Sequence, residues 1–495
     1  MIKDCKSSGV PYNYSMLSNH NWVDFSGRHV APGGSVNRMH HHPGLDWMAP
    51  LAETNEMMAT PQEALLIGRA DQHRLGEMLM PHVLGRLLHF SKIRCAGLVS
   101  ADFTDCGGHV VRSYGECAKE MRGAGLRLVH FGGDALALDL VEGYREAAGE
   151  EEAECFEGLV GISGRAELLR YLRRRTGQGS EFAYVLDSAE EFAGCVSGFH
   201  AVGLSEPWRL GAAAKERLVG ILRRAQFVGV RDRNGAEFLE GEGVRVERMP
   251  CALTVLPQVC ARPLREARDR ESLESVRRRF PNGWIAVETG GVRERDAGRL
   301  AAALQEVSER TGLGMVFFEA NGLAGGGRRR LRRWVEAFPE WQAMEFGSVN
   351  LWETASLLLH SRLYCGSDLG ARTICMSGGV GRIHVPTGTA ETRSYCDLWE
   401  HGDVPVEFAE DGDWSEALVG ALAVGFPLLQ KHSAWLHARY QESLDRFCRS
   451  TGIEARLVAA TDHERAARRR REFQEGWLEE VAGSRRKGGV VVRSF

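Results

Sequence analysis

The sequence has no CxxC pair: its twelve cysteines are scattered singly along 495 residues. That excludes a zinc ribbon or a disulfide framework and predicts reduced thiols in a cytoplasmic protein. No apolar run approaches the roughly 20 residues that a membrane-crossing helix needs. The most apolar stretch, 418–429, is short and broken by glycine and proline. No signal peptide is read at the start, where Met1-Ile2-Lys3-Asp4-Cys5 runs into polar sequence. Charge of one sign is not in excess either. A net charge of −4 gives no global argument for nucleic acid or an anionic membrane as partner. No repeat of roughly 20–50 residues recurs. Gly158, Gly161 and Gly164 do not make a dinucleotide fingerprint, because their spacing differs from GxGxxG and they follow an acidic stretch rather than a strand. His40-His41-His42 cannot all face one ion from a strand, so no metal is expected.

What remains is an ordinary globular composition, 43% apolar and 26% charged, over a length that predicts two or three domains. Residues 1–60 read as an irregular extension. From Glu63 onward, short apolar runs alternate with amphipathic helices, the pattern of a parallel, doubly wound sheet. In a first domain, 61–257, strands are expected at 64–68, 96–99, 126–130, 182–186, 225–230 and 244–250. Helices are expected at 110–123 and 165–175. Residues 258–280 read as a linker with an exposed helix. A second domain, 281–425, opens with strands at 284–288 and 314–318 around a helix at 296–311. The arginines Arg328, Arg329, Arg330, Arg332 and Arg333 read as a solvated helix face rather than an RNA-binding strip. Helices at 426–448 and 462–481 make up a C-terminal segment, 426–495, whose first helix could cross back to the first domain.

The stretch that organises the chain is 349–386. It reads as a helix, a buried strand, the turn Gly366-Ser367-Asp368, a second helix and a strand ending at His384-Val385. A strand that closes in a small-residue turn and opens a helix offers unpaired N–H groups and a positive dipole end to an anion. Ser367, Asp368, Leu369 and Gly370 are therefore candidate substrate contacts. Gly68 and the turn Gly132-Gly133-Asp134 follow strands in the first domain and are candidates for the same reason. Arg231 ends another strand, with Asn234 as an expected N-cap, and is well placed to meet an anion.

Four segments in order resemble the polysaccharide pyruvyl transferase family. LLIGRADQHRLGEML resembles its opening strand and GxxNxGD turn, with Arg74-Leu75-Gly76-Glu77 where Asn-Leu-Gly-Asp is usual. LRLVHFGGDAL resembles its central strand and glycine pair. FVGVRDRNGAEFLEGEGVRVERMPCA resembles its VRDxxSxxxL strand and helix, with Cys251 where aspartate is frequent. NLWETASLLLHSRLYCGSDLGARTICMSGGVGRIHV resembles its GSSLHGxxxAMSxGxP signature. The resemblance implies an α/β fold of two Rossmann-like domains in a GT-B-like arrangement. It also implies transfer of a pyruvate ketal from phosphoenolpyruvate to a sugar of a glycan, with no other cofactor, and an anion-contacting role for Arg231. The family's signature histidine falls on Gly370, which leaves Arg372 or His384 as candidates for the missing chemistry. The alternatives are a diverged glycan-binding or regulatory protein of glycan assembly, and a GT-B glycosyltransferase using a nucleotide-sugar.

Overall fold

The computed structural model describes residues 62–455, apart from 122–124, 188–191, 193 and 323–326. The irregular extension with His40-His41-His42, the glycines Gly325-Gly326 and the expected helix at 462–481 lie outside the described residues. The strands are β1 (Glu63–Ile67), β2 (Leu88–His89), β3 (Lys92–Gly97), β4 (Ala101–Asp102) and β5 (Val110–Ser113). Next come β6 (Leu126–Phe131), β7 (Val196–Val202), β8 (Phe227–Val230), β9 (Glu247–Arg248) and β10 (Trp284–Glu288). The remainder are β11 (Gly314–Phe318), β12 (Ala343–Glu345), β13 (Leu363–Gly366), β14 (Gly381–His384) and β15 (Glu454–Ala455).

The first sheet runs β4-β5-β3-β1-β6-β7-β8-β9 and is parallel except for the β4–β5 pair. Its central strand β1 lies between β3 and β6, with Ala64 opposite Ile93 on one side and Arg127 on the other. Ala64, Leu65, Leu66 and Ile67 have no exposed surface, as a parallel strand covered on both faces requires. The second sheet runs β12-β11-β10-β13-β14, parallel throughout. In each sheet the order reverses beside the first strand, at β1/β6 and at β10/β13, and such reversals open the crevices where α/β proteins hold ligands. The architecture is α/β, two Rossmann-like domains in a GT-B-like arrangement.

Two expected elements differ. Residues 182–186 form no strand beyond an isolated bridge from Phe182 to Asp139. Their apolar side chains are buried, but side chains satisfy the backbone instead of a ladder: Gln178 donates to the Phe182 carbonyl at 2.8 Å, and the Leu186 N–H meets His130 Nε2 at 3.1 Å. The sheet position belongs to β7, whose Ser197, Gly198 and His200 interrupt the apolar pattern. The helix expected from Val110 starts only at Tyr114. Val110–Ser113 is a strand, and Ser113 with Glu116 forms a capping box that fixes the boundary.

The segment read as linker with an exposed helix packs instead. Its helices Ala261–Arg268 and Glu271–Arg279 bury Leu264, Ala267, Leu273 and Val276, and their arginines face out. One apolar core joins both sheets, taking in Leu66, Leu75 and Leu253 together with Ala286, Leu369, Ala371 and Leu436. The helix Phe426–Thr451 returns to the first domain. Its Phe447 meets Phe227 edge-on at 5.3 Å, and Gly198 leaves room for that ring, since a Cβ there would stand 2.8 Å from it. Beyond that helix, β15 pairs antiparallel with β2. Among the described residues, no helix is long and apolar enough to cross a membrane.

Candidate functional site between the two sheets

The carboxyl ends of both sheets meet along a seam, and the seam is closed by backbone. The helix Leu75–Leu87 of the first domain and the helix Leu369–Gly378 of the second meet through two glycines. A Cβ on Gly370 would stand 2.9 Å from the Gly76 Cα, closer than real Cβ atoms come to backbone. The Leu75 N–H also donates to the Ala320 carbonyl at 2.8 Å across the seam. The glycine in the family's histidine position is thus the one residue that this approach admits.

Arg231 leaves the end of β8 and is buried in the seam, where its Nη2 pairs with Glu391 Oε1 at 2.5 Å. Glu391 opens the second-domain helix Glu391–Trp399, a residue that no sequence motif singled out. Burial works against the Arg231 charge, but Glu391, Cys251, Glu77 and Asp134 together raise its pKa. Desolvation in the seam raises the Glu391 carboxyl pKa, against the pull of Arg231 and with Asp134 adding to the rise, although about a third of that side chain stays exposed. Trp399 donates its indole N–H to the Arg231 carbonyl at 2.7 Å, fixing the backbone behind the guanidinium. Asp232, not Asn234, caps the following helix by accepting from the Gly235 N–H at 2.8 Å. Asn234 instead ties the seam together: its N–H donates to Ser394 Oγ and its Nδ2 to the Ser205 carbonyl, both at 2.8 Å. Asp134 accepts from the Ser205 N–H and hydroxyl at 2.7 and 2.6 Å.

Gly132 and Gly133, both at positive φ, cradle the Glu77 carboxylate; a Cβ on Gly133 would stand 2.8 Å from its Oε1. Glu77 Oε2 is buried with no hydrogen-bond partner among the described residues. Gly68 faces no cleft, because a Cβ there would enter the Phe131 ring at 2.7 Å. It is a packing glycine.

In the second domain the crevice at β10/β13 is acidic. Glu288 accepts from the Ser367 N–H at 2.9 Å, the Ser367 hydroxyl at 2.6 Å and the Gly290 N–H at 2.6 Å. Burial, with Asp368 adding, pushes the Glu288 carboxyl up to about 7. Asp368 caps the Leu369–Gly378 helix through the Ala371 N–H at 2.7 Å, and burial raises its pKa too. Leu369 belongs to the shared core. Of the N–H groups read as an anion cradle, that of Ser367 is engaged by the Glu288 carboxylate and that of Asp368 by the Tyr364 hydroxyl, while the Asp368 carboxylate takes the Ala371 N–H.

Arg372 and His384 are placed differently from Arg231. Arg372 is fully buried and bonds Glu400 at 2.8 Å and the Val406 and Pro405 carbonyls at 2.8 and 3.0 Å. His384 Nε2 meets the Thr392 hydroxyl at 2.8 Å, and burial beside Arg372 holds its pKa well below the usual range. Neither reaches solvent, because helical and strand periodicity turn both side chains into the core. The seam gathers Arg231, Asp134, Asn234, Gly132, Gly133, Ser367, Asp368 and Gly370, and adds Glu77 and Glu391.

The UDP-forming alpha,alpha-trehalose-phosphate synthase of Burkholderia xenovorans is 12% identical, over 68% of this chain and 77% of that one, with a TM-score of 0.39. The UDP-GlcNAc 2-epimerase of Neisseria meningitidis is 11% identical, over 75% and 93%, with a TM-score of 0.42. The trehalose 6-phosphate synthase of Burkholderia multivorans is 11% identical, over 80% and 99%, with a TM-score of 0.43. No curated protein sequence matches. Residues 176–368 match the family model described as polysaccharide pyruvyl transferase. That range holds Arg231, Asp232 and Cys251 and ends on Asp368, so the family resemblance holds over the second half of the first domain and most of the second.

Proposed function

We propose that the chain transfers the pyruvate unit of phosphoenolpyruvate, as a ketal, to a pair of hydroxyls on a glycan sugar. The observation that carries this reading is the ion pair of the buried Arg231 with the half-buried Glu391: a cation suited to a carboxylate or phosphate, beside a carboxyl whose pKa is raised. The family match over 176–368 supports the reaction class. Opening the seam frees Arg231 from Glu391 to hold the donor, with charge-assisted bonds of roughly 1.5–3 kcal/mol each. Protonated Glu391 then gives its proton to the methylene carbon of the enol as a sugar oxygen bonds to C2. The C2–O bond to phosphate breaks, and the second hydroxyl bonds to C2. One hydroxyl proton returns to Glu391 and the other leaves with phosphate. The donor is a substrate, and no metal or further cofactor enters. The reading takes the reaction to be cytoplasmic, a compartment that keeps single thiols reduced.

The test is phosphate release from phosphoenolpyruvate in the presence of varied glycans. Arg231→Ala abolishes it, and Glu391→Gln lowers kcat by about 10²–10⁴ with little change in KM. Absence of release with every acceptor refutes the reading. A second reading, a glycan-binding member without transfer, is favoured by Glu288 and Asp368, which already hold the Ser367 and Ala371 N–H groups of the second-domain crevice. It predicts glycan binding without any binding of phosphoenolpyruvate.

A further inference from the structure

A pocket of about 660 Å³ lies where the end of the Glu391–Trp399 helix meets the first turns of Phe426–Thr451. Its lining includes Glu400, His401, Asp403, Lys431, His432 and Trp435. One wall is aromatic. Trp435 leaves 43% of its surface to solvent, yet its ring is held from within, stacked on His432 at 5.8 Å and 19° and lying 6.1 Å from Trp399. A large, pre-oriented, half-open indole is a platform for the flat apolar face of a ring.

The floor is the Glu400 carboxylate, backed by two guanidiniums. Arg372 and Arg382, both fully buried, share the single carboxylate of Glu400, with Arg382 bonding it at 2.9 and 2.5 Å. Although burial opposes its charge, these two arginines hold Glu400 down to about 2. His432 adds no charge of its own. Burial lowers its pKa to about 4, its Nδ1 accepts from Arg382 at 3.0 Å, and its Nε2 donates to the Trp399 carbonyl at 2.7 Å. Two guanidiniums against one carboxylate leave one net positive charge behind the Glu400 face of the pocket. At the rim Lys431 is exposed and makes no ion pair among the described residues. Beside it stand Asp403 and His401, 3.7 Å apart and both exposed.

We propose that this pocket binds a pyranose ring that carries a carboxylate. The ring's C–H face lies on Trp435, its carboxylate meets Lys431 above the buried charge, and its hydroxyls bond Asp403 and His401. The site is separate from the seam and does not depend on the transfer reaction.

The experiment titrates the full chain with tetragalacturonate and with a neutral hexose tetramer by calorimetry, following tryptophan fluorescence in parallel. The acidic tetramer binds at least about tenfold more tightly than the neutral one. Trp435→Ala weakens both about tenfold, and Lys431→Gln brings the acidic ligand to the neutral level. Arg231→Ala leaves all of this binding unchanged. Both substituted rim residues are exposed, and an unchanged melting temperature shows that the variants fold. Absence of saturable binding, equal affinity for the two tetramers, an unaffected Trp435→Ala variant, or loss of binding in Arg231→Ala each overturns the proposal.

Discussion

Restoring a side chain at position 370 should damage this protein rather than repair it. A Cβ there would lie 2.9 Å from the Gly76 Cα, 3.1 Å from the Gly76 nitrogen and 3.0 Å from Asp368 Oδ1. Two of the three obstacles are backbone, which cannot rotate away. Gly370→Ala therefore forces two packed helix ends apart by several tenths of an ångström. Overpacking of this kind costs about 1–3 kcal/mol. The better helix propensity of alanine returns up to about 1 kcal/mol, since residue 370 is the second of its helix. The expected net loss is about 1–2 kcal/mol, and Gly370→His loses more. Urea unfolding reads it as a lower midpoint at unchanged slope. Gly76→Ala opens the same seam, so the double variant costs less than the sum of the two single ones. A Gly370→Ala protein as stable as its parent, or a strictly additive pair, would refute the closed-seam argument.

Glu400→Gln removes the carboxylate that Arg372 and Arg382 share and should cost about 3–5 kcal/mol, read by thermal unfolding. Because the folded Glu400 pKa is lowered to about 2, its contribution is present above about pH 4.3 and is lost as pH falls toward 2. Glu288 has the opposite sign. Its folded pKa is raised to about 7, so its contribution is complete below about pH 4.3 and is lost as pH rises through 7. Across that window the loss is on the order of 3 kcal/mol, and Glu288→Gln should flatten the melting temperature between pH 5 and 8. Trp399→Phe leaves the buried Arg231 carbonyl without its donor and should cost about 1–3 kcal/mol in denaturant unfolding.

Much of the scaffold was legible because short apolar runs such as Ala64–Ile67 and Trp284–Glu288 admit one reading between charged helices. β7 was hidden because Ser197 and His200 are buried polar residues, a cost that the sequence does not advertise. The run at 182–186 misled for the converse reason: it is apolar enough for a strand, but Gln178 and His130 take its backbone bonds. The place of Arg231 at the end of a strand was legible. Glu391 was not, because it lies 160 residues further on and only folding brings the two together. Gly370 reads in the sequence as a missing histidine, whereas in three dimensions it is a point of backbone contact.

The return of the Phe426–Thr451 helix also bears on how the molecule is made. Its Phe447 covers Phe227, its Tyr440 hydroxyl meets His200 Nε2 at 3.1 Å, and β15 completes the ladder begun by β2. The first sheet to leave the ribosome is thus the last to be covered. Until residue 455 has emerged, Gly198 and Phe227 stand uncovered. The nascent first domain presents a bare apolar strip through the synthesis of the whole second domain, and chaperone holding is expected over that interval.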